Sequence, residues 1–361
     1  MKLKVIFKYI LFIFVFSCSK NYYNISSNIK LEILEDEIYS KFITFKDSRI
    51  VYSDEKTLSI KYYDIKNKKS YILDKVDNEP KINQMLGKHT YFILDEKEYL
   101  FYIDVINEKR QNYKLITKDI NKENWQVFLN DLTLSDFNGF LYNENIFILG
   151  YSNCLNFYYL VNDQLKEVEF KEKEKFQNRE MKNIRCFLKD NQLFLFFISH
   201  NQLFVVKFIL DRINGNFSIR LLGEENKIHE NVDCYDYAFY GDIYYIVFYD
   251  SSKYELNIYN SKDKLIRKIG YFLNIFSLKL IKDKEDNFIF YTSIDLKKNN
   301  SPQYYISLIY NNSYIWKEFI LSYFDYPVFN IEAVKENEKI KIAGAGNALF
   351  LFDFDLKKIK K

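Results

Sequence analysis

Histidine is nearly absent from this chain: His89, His200 and His229 are the only three, and they fall in different segments. No HExxH, GxSxG or Cys-His arrangement occurs, so the common zinc-hydrolase, serine-hydrolase and thiol-nucleophile signatures are missing. The GAGN stretch from Gly344 lacks both the GxGxxG and the GxxxxGK[ST] spacing, and it reads as a tight turn rather than a phosphate loop. No catalytic residue, metal ligand or cofactor site is assigned from the sequence. Proline is scarce, at 3 residues, while Lys, Asn, Ile, Phe and Tyr abound, a composition that an AT-rich genome produces and that inflates basic and aromatic motifs. Long hydrophobic runs are missing beyond the first few residues. The span from Val5 to Phe16, broken by Lys8, is too short for a membrane crossing, which takes about 20 apolar residues.

What is present is a hydrophobic hairpin pattern that recurs about seven times, each copy opening on a polar turn. The copies are FKDSRIVYS from Phe45, LGKHTYFIL from Leu86, YNENIFILG from Tyr142, LKDNQLFLFFIS from Leu188, FYGDIYYIVFY from Phe239, IKDKEDNFIFYTS from Ile281 and VKENEKIKIAG from Val334. Their second strands begin near residues 49, 89, 145, 192, 243, 287 and 339, an average step of about 48 residues, which is propeller spacing. Third strands follow, rich in aromatic and branched residues, such as TLSIKYYDI from Thr57 and QYYISLIY from Gln303. The expected fold is an all-β, seven-bladed β-propeller of four-stranded blades spanning residues 29–356. The last copy ends after its third strand, ALFLFDFDL from Ala348, and lacks a fourth. The segment 29–39, IKLEILEDEIY, stands before the first blade with nothing else to pair with. It is expected to fill that vacancy, closing the ring and covering a sheet edge. A pair of sandwiches or an eight-bladed ring are the alternatives.

The N-terminus carries Lys2 and Lys4, a short apolar region and Ser17-Cys18, the layout of a secretory signal peptide over 1–17. The cysteine at the cleavage point resembles the lipobox of bacterial lipoproteins, and Val15 and Phe16 match its relaxed, spirochaete-type form. The resemblance implies acylation of Cys18, a tether over 18–28, and a membrane lipid as first partner. Removing Lys2, Lys4 and Lys8 from 52 basic residues leaves 49, equal to the 49 acids. A nearly neutral exported chain is not expected to bind nucleic acid. Cys154, Cys186 and Cys234 remain, an odd number that excludes a full disulfide framework. Each suits a small buried hydrophobe. One bridge, Cys186 to Cys234 or Cys154 to Cys186, is the alternative.

Closure by 29–39 would start the tether on the face that carries the first-to-second and third-to-fourth strand turns. The free tether, 19–28, spans at most about 35 Å. Lys66, Lys68, Lys69, Lys109, Arg110 and the basic tail 357–361, with Lys357, Lys358, Lys360 and Lys361, are expected on that face, positioned for anionic headgroups. The opposite face is expected to carry long insertions. Trp125, Phe128, Leu129 and Leu132 fall at i, i+3, i+4 and i+7 of an expected short helix, with Asn121 as its cap. KEKEKFQNREMKN, residues 171–183, reads as a solvated charged excursion. Tyr323, Phe324 and Tyr326 sit in an expected connection. With Trp125 and Phe128 they are the candidate interface, although packing between blades explains the 322–329 aromatics equally. The recurrent acids Asp47, Glu144, Asp190, Asp242, Asp283 and Glu336 fit hairpin turns.

The function these features point to is a membrane-anchored scaffold for an envelope protein partner, on the periplasmic face of the outer membrane. The plan is similar, in architecture alone, to the accessory propeller lipoprotein of the outer-membrane barrel-assembly machine. That family's Ala-Trp and Gly-rich repeat signatures are missing here. A ligand-binding or hydrolytic funnel using Arg185, Asp236 and Glu332 is the first alternative. A surface-exposed adhesive lipoprotein is the second.

Overall fold

The computed structural model describes residues 30–46, 48–75, 85–107, 110–119, 126–130, 134–162, 164–213, 215–284, 286–295, 303–311 and 316–356. Strand β1 (Lys30–Glu35) precedes the first sheet, which is β2 (Ile43–Lys46), β3 (Arg49–Asp54), β4 (Ser59–Asp64) and β5 (Lys69–Lys75). The second is β6 (Met85–Leu94), β7 (Lys97–Asn107), β8 (Arg110–Asp119) and β9 (Gln126–Asn130), and the third is β10 (Asp136–Tyr142), β11 (Asn145–Tyr151), β12 (Leu155–Val161) and β13 (Gln164–Glu167). The fourth gathers β14 (Glu169–Phe170), β15 (Lys182–Lys189), β16 (Gln192–Ser199), β17 (Gln202–Ile213), β18 (Asn216–Leu221) and β19 (Asn226–His229). The fifth is β20 (Val232–Tyr240), β21 (Ile243–Asp250), β22 (Glu255–Asn260) and β23 (Leu265–Tyr271). The sixth is β24 (Ser277–Asp283), β25 (Asp286–Asp295), β26 (Gln303–Asn311) and β27 (Trp316–Phe324). β28 (Val328–Glu336), β29 (Lys339–Gly346) and β30 (Leu349–Asp355) form the last sheet with β1.

The expectation of seven four-stranded blades is overturned. Among the described residues six sheets have four strands, and the fourth sheet has six. Its outer strand is split: β18 pairs with Phe208–Ile213 of the long β17, and after Gly223, at φ +80°, β19 pairs with Leu203–Val205. β14 then adds in parallel to β18 as a further strand. β1 lies antiparallel to β30, from Lys30↔Asp353 to Glu35↔Leu349.

Turn chemistry fixes the hairpins. Asp95-Glu96, Asn143-Glu144 and His200-Asn201 are two-residue loops with φ between +46° and +60° at both positions, the type I′ geometry that matches strand twist. The first of these corrects the second sheet. Residue 89 lies in the inner strand β6, the strand expected third is β7, the one expected fourth is β8, and so each expected strand of this sheet moves one place inward. The segment expected as a helix around Phe128 is therefore strand β9, paired with β8. A run as short as QVFLN satisfies both helical and alternating patterns, and the sheet edge decides. By the same shift, Arg110 opens β8 at the second turn of this sheet, away from the expected basic face, and Lys109 lies outside the described residues.

Hydrophobic clusters straddle consecutive sheets. Phe196, Ile198 and Val205 of the fourth pack on Tyr235, Ile246 and Phe248 of the fifth, and Ile43, Ile50 and Tyr52 of the first pack on Ala343, Ala345 and Leu349 of the last. Gly346 lets β29 close on the entry to β28 within the last sheet. A Cβ there would stand 2.0 Å from the Pro327 carbonyl oxygen. The charged excursion after β14 is pinned: it forms a 3-10 turn, Lys173–Phe176, whose Phe176 is buried against Phe170 and Phe208. Among the described residues no helix is long and apolar enough to cross a membrane.

Candidate interaction surface

In each antiparallel sheet the first and third turns lie at one rim, and the second turn with the exit to the next sheet lies at the other. Lys30 sits beside Asp353, and the amide of Leu356 donates to Glu338 O in the first turn of the last sheet, at 2.8 Å. β1 thus begins at the first rim. Lys66, Lys68 and Lys69 are exposed at that rim, at the β4–β5 turn that Asp64 caps through the amides of Lys66 and Asn67. Lys68 donates to Glu32 of β1 at 3.0 Å, and this contact holds its pKa above the ordinary value. Lys69 Nζ stands over the Tyr71 ring at 5.4 Å. Cys18, Lys357, Lys358, Lys360 and Lys361 lie outside the described residues, as does Trp125; Phe128 lies within β9.

The opposite rim carries an aromatic surface across the fifth and sixth sheets. Tyr254, Tyr271, Leu273, Phe276 and Tyr323 are each 45–60% exposed. They are joined locally: the Phe272 amide donates to Tyr254 O at 2.8 Å, the Phe276 and Tyr304 rings are 6.2 Å apart, and Tyr305 and Tyr323 are 6.1 Å apart. Tyrosine-rich exposed apolar surface is the composition of protein-binding hot spots. Of the residues singled out from sequence, Tyr323 belongs to this surface, at the end of β27 rather than in a connection. Phe324 is 6% exposed, stacked on Phe350, and belongs to the core; Tyr326 is half-buried against it. Sequence reasoning missed Tyr271, Leu273 and Phe276. The signal available was the YFLNIF run after β23, the same kind of aromatic exit that SYFDYPVF provides.

The inner strands bring together the residues proposed for a funnel. Arg185 pairs with Asp236, and Lys279 lies 3.9 Å from Asp236 and 2.7 Å from Glu332. Asp236 also accepts from the Leu280 amide at 2.7 Å. Two sheets earlier Asp136 repeats the device, accepting from Lys88 at 3.0 Å and from the Ile184 amide at 2.8 Å. Burial by itself would lower the Lys279 pKa, but Asp236 and Glu332 outweigh it and raise it. Three cations meet three carboxylates here, each carboxylate tying one sheet to the next. The arrangement is a set of structural rivets.

Cys154, Cys186 and Cys234 are free thiols, so neither bridge forms. Cys186 donates to Asn138 Oδ1 at 3.3 Å, and burial pushes its thiol pKa up to about 12. Among the described residues no three His, Cys, Asp or Glu side chains gather as a metal site.

No protein-family model matches the chain, and no curated protein does. Among solved structures it is similar to Hsv2 of Kluyveromyces lactis, with 12% identity and a TM-score of 0.47 over 85% of this chain and 90% of that one. It is also similar to the WD40 domain of SCAP from fission yeast, with 8% identity and a TM-score of 0.48 over 91% of this chain and 98% of that one. At these TM-scores neither likeness carries an argument, and the propeller assignment rests on the strand pairing.

Proposed function

We propose that this chain is a membrane-tethered propeller that acts as a protein-binding scaffold in the bacterial envelope, held by acylated Cys18 at the periplasmic face of the outer membrane. One observation carries the reading: β1 begins at one rim, while the exposed aromatic surface occupies the other. A lipid on Cys18 keeps the first rim toward the bilayer, with the 19–28 tether of at most about 35 Å. The surface of Tyr271, Phe276 and Tyr323 then faces away from lipid, toward a soluble or membrane-bound protein. The inner carboxylates are already occupied by cations and amides, so a hydrolytic funnel finds no support in them. An envelope partner of the barrel-assembly kind is what the architectural likeness implies. The test is crosslinking of intact cells followed by purification of the full chain, comparing wild type with Phe276→Ala plus Tyr323→Ala. A partner recovered with wild type and lost with the double variant is expected. A partner retained by both, or none with either, sinks the reading.

A further inference from the structure

We infer that the outer edge of the fifth sheet is a strand-addition site for an extended, acidic segment of a partner protein. This rests on the scaffold reading above and gives the partner its chemistry. β23 is the terminal strand of its sheet, paired with β22 on one side, and among the described residues no strand pairs with its other side. Such an edge presents a row of backbone donors and acceptors, the template for an added strand. The fourth sheet covers part of its corresponding edge with β14, and the third ends on a strand of four residues. β23 is seven residues long and uncovered, with Leu265, Ile266, Arg267 and Lys268 exposed in succession.

The charge along this edge is one-sided. Lys262, Lys264, Arg267 and Lys268 are exposed, against Asp263. Lys268 is engaged by Glu255 at 3.3 Å and the Tyr271 hydroxyl at 2.8 Å, whereas Arg267 forms no ion pair among the described residues. Arg267 instead lines a cleft of about 120 Å³ between the fifth and sixth sheets, with Tyr245, Leu265, Asn287 and Trp316. Asn287 is 8% exposed. Its amide nitrogen donates to Asn311 at 3.0 Å, but its carbonyl oxygen has no partner. A buried acceptor left unmet is unfavourable and is relieved by an incoming donor. The guanidinium wants a carboxylate, preferably in bidentate form. The Trp316 ring supplies an apolar wall. One ligand type meets all three demands: an acidic residue of an extended chain, carrying a peptide N–H beside its carboxylate. From the cleft, β23 runs to Tyr271 and Leu273, so a strand laid along it reaches the aromatic rim.

The test pans a phage-displayed library of random decapeptides on the full chain in detergent, and on its Arg267→Glu and Arg267→Lys variants. Hydrogen exchange then maps the bound peptide. Expected are sequences alternating acidic and apolar residues, at least tenfold weaker on Arg267→Glu, largely retained on Arg267→Lys, and protecting amides of 265–271. Peptides indifferent to Arg267, protection confined to the Phe276 and Tyr323 region, or no enrichment at all would overturn strand addition. The scaffold reading fails separately, if the crosslinked pull-down yields no partner dependent on Phe276 and Tyr323.

Discussion

Asp236 illustrates how much of this molecule hangs on single side chains between sheets. It accepts from Arg185 of the fourth sheet and the Leu280 amide of the sixth, with Lys279 3.9 Å away. Asp236→Ala takes the acceptor from the half-buried Arg185 guanidinium and the Leu280 amide, while Lys279 keeps Glu332; removal of one partner from a fully buried pair costs about 3–5 kcal/mol, and the partial exposure of Arg185 brings the loss here to about 2–3 kcal/mol. Urea denaturation should show the free energy of unfolding falling by that amount, while Asp242→Ala, whose carboxylate is exposed, changes it by less than about 0.5 kcal/mol. His89 gives the pH counterpart. Its Nε2–H donates to the Val51 carbonyl at 3.1 Å across the first and second sheets, Nδ1 has no partner, and burial pushes its pKa down to about 4. The folded state therefore favours the neutral ring. Stability from this group is full above the unfolded pKa of about 6.5 and is lost as pH falls toward 4, by about 3 kcal/mol in all. Between pH 7 and pH 4.5, wild type should lose more stability than His89→Gln, read as the difference in urea midpoints. Equal losses would show that His89 does not titrate on unfolding.

At the scale of elements, the strap between the third and fourth sheets is a structural device with its own signature. Phe170, Phe176 and Met181 are buried, while Lys171, Glu174 and Lys175 around them face solvent or nearly so. Arg179 closes the strap onto Glu225, with its guanidinium 4.3 Å from the Phe204 ring centroid. Phe176→Ala removes a buried aromatic, a change of about 3–5 kcal/mol in a core, here borne by a segment that can lift away. Trypsin should then cut between Lys171 and Arg179 under native conditions while the rest of the chain stays intact; unchanged cleavage would mean that Phe176 does not hold the strap. The strap also marks what was and was not legible. Alternating apolar residues and polar turns locate six of the seven second strands within a residue or two, because inner strands must bury one face and reverse sharply. The second sheet was misread because Asp95-Glu96 carries no Gly or Asn to announce a two-residue turn. β14 and β19, of two and four residues, exist only through pairing with β18 and β17, which no local pattern encodes. Among the candidate interface residues, Tyr323 was legible as an aromatic at a sheet exit. Phe324, next to it, could not be told apart, since burial depends on whether Phe350 lies opposite.

For the molecule as a whole, the proposal stands on two ends of one axis: a lipid at Cys18 and an aromatic rim facing away. β1 runs from the rim near Asp353 toward Leu349, so a lipid at Cys18 would bring the chain in from that rim. A single acyl chain gives only reversible membrane binding, and stable anchoring takes more than one, at about 0.8 kcal/mol per buried methylene. The lysines of the first rim add less than their number suggests, because Lys68 is already paired with Glu32. Anchoring should therefore depend on Cys18 far more than on this rim. In cells fed radiolabelled palmitate, the wild-type chain should take up label and partition into the detergent phase of Triton X-114. Cys18→Ala should do neither, while Lys66→Glu plus Lys69→Glu should still do both. Detergent partitioning of Cys18→Ala equal to wild type would remove the lipid from the argument, and with it the reason to assign the aromatic rim to a protein rather than to the bilayer.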